Sequence, residues 1–162
     1  MSSRIEKYEI AGLIGEGGFG RVFKAQDTQM MRWVAIKVMS VEQNESALQR
    51  FRNEAIVAGG LNHPNLVTVY ELGEYNGRPF IVMEYLEGRD LGAVLELEGR
   101  LPIRRAVHYV MQACEALAVA HSNGITHRDI KPENLFLTQK GDLELIKLLD
   151  FGISKAALTG KV

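Results

Sequence analysis

Apolar and polar residues alternate in short runs over the first half of the chain, and this pattern predicts β-strands. The runs are Tyr8 to Ile14, Arg21 to Ala25, Trp33 to Met39, Leu66 to Leu72 and Pro79 to Tyr85. Asn76-Gly77 lies between the last two and is typical of a hairpin turn. Between the third and fourth runs, apolar residues recur at helical spacing over 44–58 and end at Gly59-Gly60. We therefore predict a small antiparallel sheet with one helix.

The second half of the chain has a helical pattern. Asp90 stands where it can cap a short helix, and Pro102 stands where it can open a long one that ends near Ser122. Within the long helix apolar residues recur at three- and four-residue steps, and Asn123-Gly124 predicts a left-handed end. Two short strands are predicted after it, at Leu135 to Thr138 and Leu145 to Leu149.

Composition narrows the class of protein. The 162 residues are 46% hydrophobic and 24% charged with a net charge of −1, which is typical of a folded globular chain and disfavours nucleic-acid binding. The sequence has neither a long uninterrupted apolar segment nor the apolar core of a signal peptide at its start, so we expect a cytoplasmic protein without a membrane segment. The single cysteine, Cys114, falls in the apolar helical repeat, and we expect it to fill the core.

Glycines at 15, 17 and 20 have the spacing G-x-G-x-x-G. Alone this is a weak signal. A dinucleotide-binding fold would require a helix directly after the glycines, whereas the residues that follow, Arg21 to Gln26, have the pattern of a strand. A hairpin that covers a bulky anionic ligand fits better, and an ordinary glycine-rich turn is the alternative.

Lys37 ends the run Val34-Ala35-Ile36-Lys37, inside an otherwise apolar strand. A lysine that faces a closed site is costly unless it is paired, so we expect it to meet phosphate oxygens and a carboxylate. Glu54, on the first predicted helix, is the natural carboxylate. The alternative is a solvated lysine and a solvated glutamate with no common role.

The segment His127 to Leu137 carries the strongest chemical signal. Asp129 can accept the proton of a hydroxyl group or orient it, Lys131 can neutralise a migrating phosphoryl group, and Asn134 can offer an amide oxygen to Mg²⁺. Asp150, in Asp150-Phe151-Gly152, supplies a second oxygen ligand of the kind that hard cations prefer.

Taken together and in order, these motifs resemble those of the eukaryotic-type protein kinases. The motif Lys131-Pro132-Glu133-Asn134 resembles that of the serine/threonine branch, and the sequence as a whole resembles the bacterial members of that branch. The resemblance implies an α+β protein-kinase-like fold. Residues 1–86 would form an N-lobe and hinge with a five-stranded antiparallel sheet and one helix, and residues 87–162 an incomplete, mainly helical C-lobe with helices D and E, the catalytic loop and the Asp-Phe-Gly motif.

The resemblance also implies a role for each matching residue. ATP would be bound by the glycine-rich hairpin, the adenine pocket, the hinge and the ribose contact: Ile14, Gly15, Gly17, Gly20, Val22, Ala35, Lys37, Met83, Glu84, Leu86, Asp90 and Phe136. The catalytic set would be Asp129, Lys131, Lys37 and its partner Glu54. Asn134 and Asp150 would bind Mg²⁺, with Mn²⁺ as an alternative. Phe136 departs from the leucine that is most common there, so ring packing would differ.

The family pattern stops after Asp150-Phe151-Gly152: most of the activation segment, the Ala-Pro-Glu run and the later helices have no counterpart. We expect the apolar far side of the long helix to stay open unless a partner or a second copy covers it. Two hypotheses follow: a serine/threonine protein kinase that acts on an unknown protein, or a non-catalytic module that binds nucleotide or a partner. Small-molecule phosphorylation is a third, weaker reading.

Overall fold

The computed structural model describes residues 4–17, 20–39, 49 and 59–149. The chain divides into two compact units. Unit 1 comprises Met1–Gly60 with Thr68–Tyr85, and unit 2 comprises Leu61–Val67 with Leu86–Val162. The predicted helix over 44–58 lies outside the described residues, apart from Gln49.

Unit 1 contains one antiparallel sheet in the order β1-β2-β3-β4-β6-β5. Its strands are β1 (Arg4–Ile5), β2 (Tyr8–Gly17), β3 (Gly20–Asp27), β4 (Arg32–Met39), β5 (Val69–Tyr75) and β6 (Arg78–Glu84). The sequence predicts five of these strands. The sixth, β1, is only two residues long and pairs Ile5 with Tyr8, which is too short for a periodic pattern to reveal.

The fourth predicted strand is displaced. The apolar pattern places it at Leu66 to Leu72, whereas β5 begins at Val69. Leu66 instead forms a parallel bridge with Leu148 in unit 2, and Val67 donates to the Leu148 carbonyl at 3.2 Å. The pattern detected that these residues are buried but could not tell which strand they pair with.

One face of the unit 1 sheet forms its core. Alternate residues of neighbouring strands meet there, because side chains at every second position share a face. The cluster contains Ile5, Tyr8, Ala25, Val34, Ile36, Phe80 and Val82. Val34, Ile36 and Phe80 are fully buried, and burial of a side chain of this size contributes about 1.5–3 kcal/mol. The opposite face carries Ala35, Lys37 and Ile81.

In its described residues, unit 2 contains a three-stranded antiparallel sheet and two helices. The elements in chain order are β7 (Gly88–Asp90), α1 (Leu91–Glu98), α2 (Ile103–Ser122), a 3₁₀ turn (Pro132–Asn134), β8 (Leu135–Lys140) and β9 (Leu143–Leu148). The strands β8 and β9 and both helices are confirmed close to their predicted positions. The three-residue strand β7 was not predicted, because it is defined by its pairing with β8.

The predicted helix ends are confirmed by their hydrogen bonds. Asp90 accepts from the backbone N–H of Ala93 at 2.9 Å and so caps α1. At the end of α2, Gly124 has a φ of 75° and donates to the His121 carbonyl, while Ile125 donates to that of Ala120. This pair of bonds satisfies carbonyls that the helix leaves without partners.

The buried side of α2 differs from the one that the sequence suggests. The helix packs on β9 with Tyr109, Gln112, Ala113, Ala116 and Ala120. Cys114 is exposed, so the expectation that it fills the core is wrong. Small residues allow the helix to approach the sheet closely, and the larger apolar residues fall on the other side. That side includes Val107 and Val110, which are 52% and 58% exposed, as expected for an open far side.

Among the helices that the structure describes, none has the length and apolar character needed to cross a membrane.

Candidate functional site

The glycine-rich hairpin joins β2 to β3, with Gly15 paired to Val22 and Gly17 to Gly20. Gly20 has a φ of 143°, and a Cβ atom there would lie 2.0 Å from the Val38 carbonyl oxygen. Only glycine fits that position. At Gly17 an added Cβ would meet nothing within 4 Å. The hairpin therefore needs Gly20 for its own backbone, whereas Gly17 leaves open space above the strand.

The sheet brings the predicted adenine and phosphate residues of unit 1 to one face. Val22 pairs with Lys37 across β3 and β4, and Ala35 pairs with Met83 across β4 and β6. Residues paired across strands share a face, and the alternation along β4 puts Ala35 and Lys37 on the same side. This face lies opposite the core. Ile14, on β2, is 50% exposed.

Lys37 is only 8% exposed, which fits the expectation that its strand position is closed and not solvated. A buried ammonium requires polar partners, as the sequence analysis anticipates. Its predicted carboxylate partner, Glu54, lies outside the described residues. The Lys37–Glu54 pair therefore stays a prediction.

The predicted hinge begins at the end of β6. Glu84 donates its backbone N–H to the Thr68 carbonyl at 2.9 Å, and its carboxylate accepts from the Thr68 N–H at 2.7 Å. These two bonds fix the backbone of Glu84 against the residue that precedes β5. Leu86, the other predicted hinge residue, opens the second segment of unit 2 and is partly buried.

Unit 2 brings the predicted ribose and adenine-ring residues together. Asp90 and Phe136 are directly opposite each other in the β7–β8 pair. Phe136 is partly exposed. The Asp90 carboxylate also caps α1, so its orientation is already set by the helix.

The loop that precedes β8 contains the predicted catalytic residues. The amide nitrogen of Asn134 donates to the Asp129 carbonyl at 2.7 Å and to its carboxylate at 3.1 Å. Lys131 Nζ lies 3.8 Å from the same carboxylate. The structure thus brings Asp129, Lys131 and Asn134 into one cluster, with the Asp129 side chain 14% exposed.

Two hydrogen bonds join this loop to the end of β9. The buried His127 ring contacts the Leu149 carbonyl through Nε2 at 2.7 Å, and Leu149 donates to the Asn134 carbonyl at 2.9 Å. Because His127 Nδ1 accepts from the Asp129 N–H at 3.3 Å, Nε2 is the nitrogen that carries the proton. Leu149, the residue directly before Asp150, is therefore hydrogen-bonded to both His127 and Asn134, at the two ends of the predicted catalytic segment. Asp150 itself lies outside the described residues.

Arg128 has a φ of 64°, in the left-handed region that non-glycine residues rarely adopt. Such strain is found where surrounding contacts determine the backbone. Here its neighbours His127 and Asp129 are both hydrogen-bonded. The conformation turns the chain so that a buried histidine is followed by an exposed arginine and a partly buried aspartate.

A buried polar network that the sequence did not reveal supports β9. Gln112 Oε1 accepts from the Ile146 N–H and from Asn65 Nδ2, both at 2.8 Å. Asn65 Nδ2 also donates to the Ile146 carbonyl at 2.8 Å, and Lys147 Nζ donates to the Leu66 carbonyl at 3.1 Å. The available sequence signal was Gln112, a polar residue among the small residues that form the buried side of α2.

Two ionic clusters lie apart from the catalytic loop. Arg105 and Tyr109 of α2 both contact Glu144 of β9, and Arg105 above all holds the pKa of the Glu144 carboxyl below its ordinary value. Burial, together with that carboxylate, raises the pKa of Tyr109 to about 12.

In unit 1, Tyr8 and Lys7 contact Glu71 in the same manner. Burial, reinforced by Glu71, raises the pKa of Tyr8 to about 12.

The amide of Asn134 tests whether the loop suits a divalent cation. Its nitrogen donates to Asp129, which leaves its oxygen as the atom that could bind a cation, and oxygen is the donor that Mg²⁺ prefers. Within the described ranges no group of three or more His, Cys, Asp or Glu side chains forms a metal site. The amide oxygen of Asn134 is the kind of donor that fits a hard cation, and Asp150, the other predicted ligand, lies outside the described residues.

A family model described as the protein kinase domain matches residues 8–161. The architecture defines a protein-kinase fold, and the motifs stand in that family's order. This chain belongs to the protein kinase domain family.

The similar proteins are bacterial kinases. The chain is 41% identical over 159 residues to the serine/threonine-protein kinase PknD of Mycobacterium tuberculosis, covering 97% of this chain and 24% of that protein. It is 41% identical over 153 residues to the serine/threonine-protein kinase pkn3 of Myxococcus xanthus, covering 92% of this chain and 28% of that protein. The chain thus spans about a quarter of the length of these relatives.

Solved structures support the same fold. The crystal structure of the Mycobacterium tuberculosis PknI kinase domain matches with a TM-score of 0.84 and 32% identity. The match covers 94% of this chain and 62% of that chain. The expectation of a protein-kinase fold of the bacterial serine/threonine type is confirmed, with one strand more than predicted in the first sheet.

Proposed function

We propose that this chain carries the nucleotide-binding and catalytic-loop part of a serine/threonine protein kinase, which transfers the γ-phosphoryl group of ATP to a hydroxyl group of a protein. The observation that carries the proposal is the cluster of Asp129, Lys131 and Asn134, with the Asp129 carboxylate hydrogen-bonded and partly buried. The names of the similar proteins supply the serine/threonine class.

In the proposed reaction the Asp129 carboxylate accepts a hydrogen bond from the substrate hydroxyl and takes its proton as the oxygen attacks phosphorus. The bond between the γ-phosphorus and the β,γ-bridging oxygen breaks, ADP leaves, and a phosphate monoester forms. Lys131, 3.8 Å from that carboxylate, is close enough to neutralise charge on the moving phosphoryl group. The Asn134 amide keeps Asp129 oriented throughout.

The family implies ATP and a divalent cation. We assign the cation to Asn134 and Asp150, with Mg²⁺ preferred and Mn²⁺ as an alternative. When bound, the cation supplies charge neutralisation for the phosphate oxygens. Lys37 would contact the α- and β-phosphates, and Gly15, Gly17 and Gly20 would line the hairpin above them. We place this activity in the cytoplasm, where ATP is supplied.

The test is transfer of label from ATP to a generic basic protein in the presence of Mg²⁺. Asp129→Asn and Lys37→Met should each lower transfer by about 100-fold or more, since removal of a positioned base or phosphate contact has effects of that order. Asp142→Asn and Lys140→Met make the same chemical changes at exposed positions around the β8–β9 turn and should leave transfer unchanged.

Binding without transfer would instead favour the alternative hypothesis of a non-catalytic nucleotide-binding module. If MgATP neither bound nor raised the melting temperature, the assigned nucleotide residues would be wrong, because a ligand that binds the folded state must stabilise it. Self-association through the exposed apolar side of α2 stays a prediction, and the elution volume of the purified chain tests it.

A further inference from the structure

A lysine on the same face of the unit 1 sheet as Ala35 and Lys37 lies between two aromatic rings. Lys24 Nζ is 4.5 Å from the centroid of the Trp33 ring and 4.3 Å from that of the Tyr85 ring. A cation within about 6 Å of a ring centroid is attracted to the electron-rich face of the ring. We name these three residues the Lys24 cluster.

Strand register produces this cluster. Lys24 pairs with Ala35 across β3 and β4, which puts Trp33 at the diagonal position on the same face. Val34 pairs with Glu84 across the antiparallel strands β4 and β6. Trp33, the residue before Val34, therefore stands opposite Tyr85, the residue after Glu84. The cluster therefore adjoins Ala35, one of the residues assigned to the adenine ring.

Tyr85 directly follows Glu84, whose backbone is already bound to Thr68. Thr68 therefore holds this backbone from the β5 side, and Lys24 holds the next residue from the β3 side. Glu84 and Leu86 are the two positions whose backbone groups are assigned to the adenine edge, and Tyr85 lies between them. A contact that fixes the Tyr85 ring also restricts the peptide groups on either side of it.

We propose that Lys24 is a positioning residue for adenine recognition, acting through Tyr85 on the hinge backbone; this inference rests on the proposed ATP-binding function. Lys24 reaches the nucleotide only indirectly. Its loss should weaken binding of any ligand that carries adenine. The factor should be similar with and without phosphates on the ligand, because the residues assigned to the phosphates are unchanged.

The chain provides a matched control. Arg32 on β4 lies over the Tyr70 ring, with its guanidinium carbon 3.6 Å from the centroid. This is the same kind of contact on the same sheet, but the ring belongs to Tyr70 of β5 and not to Tyr85. Arg32→Met thus removes a cation from a ring other than that of Tyr85.

The experiment measures the dissociation constants of MgATP and of adenosine by calorimetry for the wild-type chain, Lys24→Met, Lys24→Arg and Arg32→Met. Lys24→Met should weaken both ligands by a similar factor of about 3 to 10, since a cation on two rings is replaced by a neutral chain of like length. Lys24→Arg should restore binding to within about twofold because arginine also stacks on rings. In the transfer assay, the KM for ATP should rise while kcat stays unchanged.

Trp33 is the only tryptophan of the chain, so its fluorescence reports on the cluster directly. Its emission should shift in Lys24→Met and not in Arg32→Met. The proposal is overturned if Lys24→Met binds adenosine like the wild type, or if Arg32→Met weakens it equally. If the wild-type chain binds neither ligand, the proposed function fails together with this inference. If the wild-type chain binds both ligands and Lys24→Met binds them with the same dissociation constants, the inference alone is refuted.

Discussion

Replacement of Gln112 by methionine should destabilise unit 2 more than any exposed substitution of the same kind. Methionine has nearly the same length but no amide group. The change removes the acceptor that Ile146 N–H and Asn65 Nδ2 share, and the donor to the Glu144 carbonyl at 3.2 Å. Asn65 keeps its bond to the Ile146 carbonyl, whereas the buried Ile146 N–H loses its partner.

The magnitude follows from these bonds. A buried donor left without a partner costs about 1–3 kcal/mol, and an ordinary lost hydrogen bond about 1 kcal/mol. With partial compensation by Asn65, we expect a loss of about 2–4 kcal/mol in the free energy of unfolding. For a chain of this length that lowers the melting temperature by roughly 5–15 °C.

The assay is urea unfolding together with hydrogen exchange of the Val67 and Leu148 amides, which join the Asn65 segment to β9. Their protection should fall in Gln112→Met. Gln139→Met makes the same change at an exposed position of β8 and should alter stability by no more than about 0.5 kcal/mol. A loss in Gln112→Met as small as that in Gln139→Met would refute the argument that this network stabilises β9.

Two further predictions concern the hairpin and the ionic cluster on α2. Gly20→Ala should lower the free energy of unfolding by about 2–4 kcal/mol in thermal unfolding, because its Cβ would collide with the Val38 carbonyl. Gly17→Ala should lower it by less than about 1 kcal/mol, because an added Cβ there meets nothing within 4 Å. Equal losses would contradict the assigned geometry. Glu144 has a pKa below its ordinary 4.5 in the folded chain, so its stabilisation is present above pH 4.5 and is lost as pH falls through the lowered pKa. The difference in melting temperature between wild type and Glu144→Gln should therefore shrink below pH 4.5, and a difference that is constant with pH would exclude this linkage.

The candidate catalytic loop was predictable from sequence because its chemistry depends on residues that are near one another in the chain. Asp129, Lys131 and Asn134 lie within six positions, and their mutual hydrogen bonds are those of a tight local turn. The roles of Glu54 and Asp150 stay predictions, since both lie outside the described residues. His127 was recognised as part of the motif, but its bond to Leu149 requires β9 to return beside the loop.

Contacts between distant segments could not be predicted in the same way. Leu66 was assigned to a strand of the first sheet because it is apolar, and it pairs instead with Leu148. Cys114 was assigned to the core because it lies on an apolar stripe, whereas α2 packs on β9 through alanines and Gln112. The Lys24 cluster has no sequence signature, since its rings come from separate strands.

The sequence by itself determined most of the strands, both helices of unit 2 with Asp90 before the first and Asn123-Gly124 after the second, and the kinase motifs. These features depend on backbone preferences and on spacing along the chain. The tertiary structure decided which strand receives Leu66, which side of α2 is buried, how Leu149 is bound and what surrounds Lys24. The physical reason is that periodicity shows that a face is apolar, while burial and hydrogen bonding depend on the segment that packs against it.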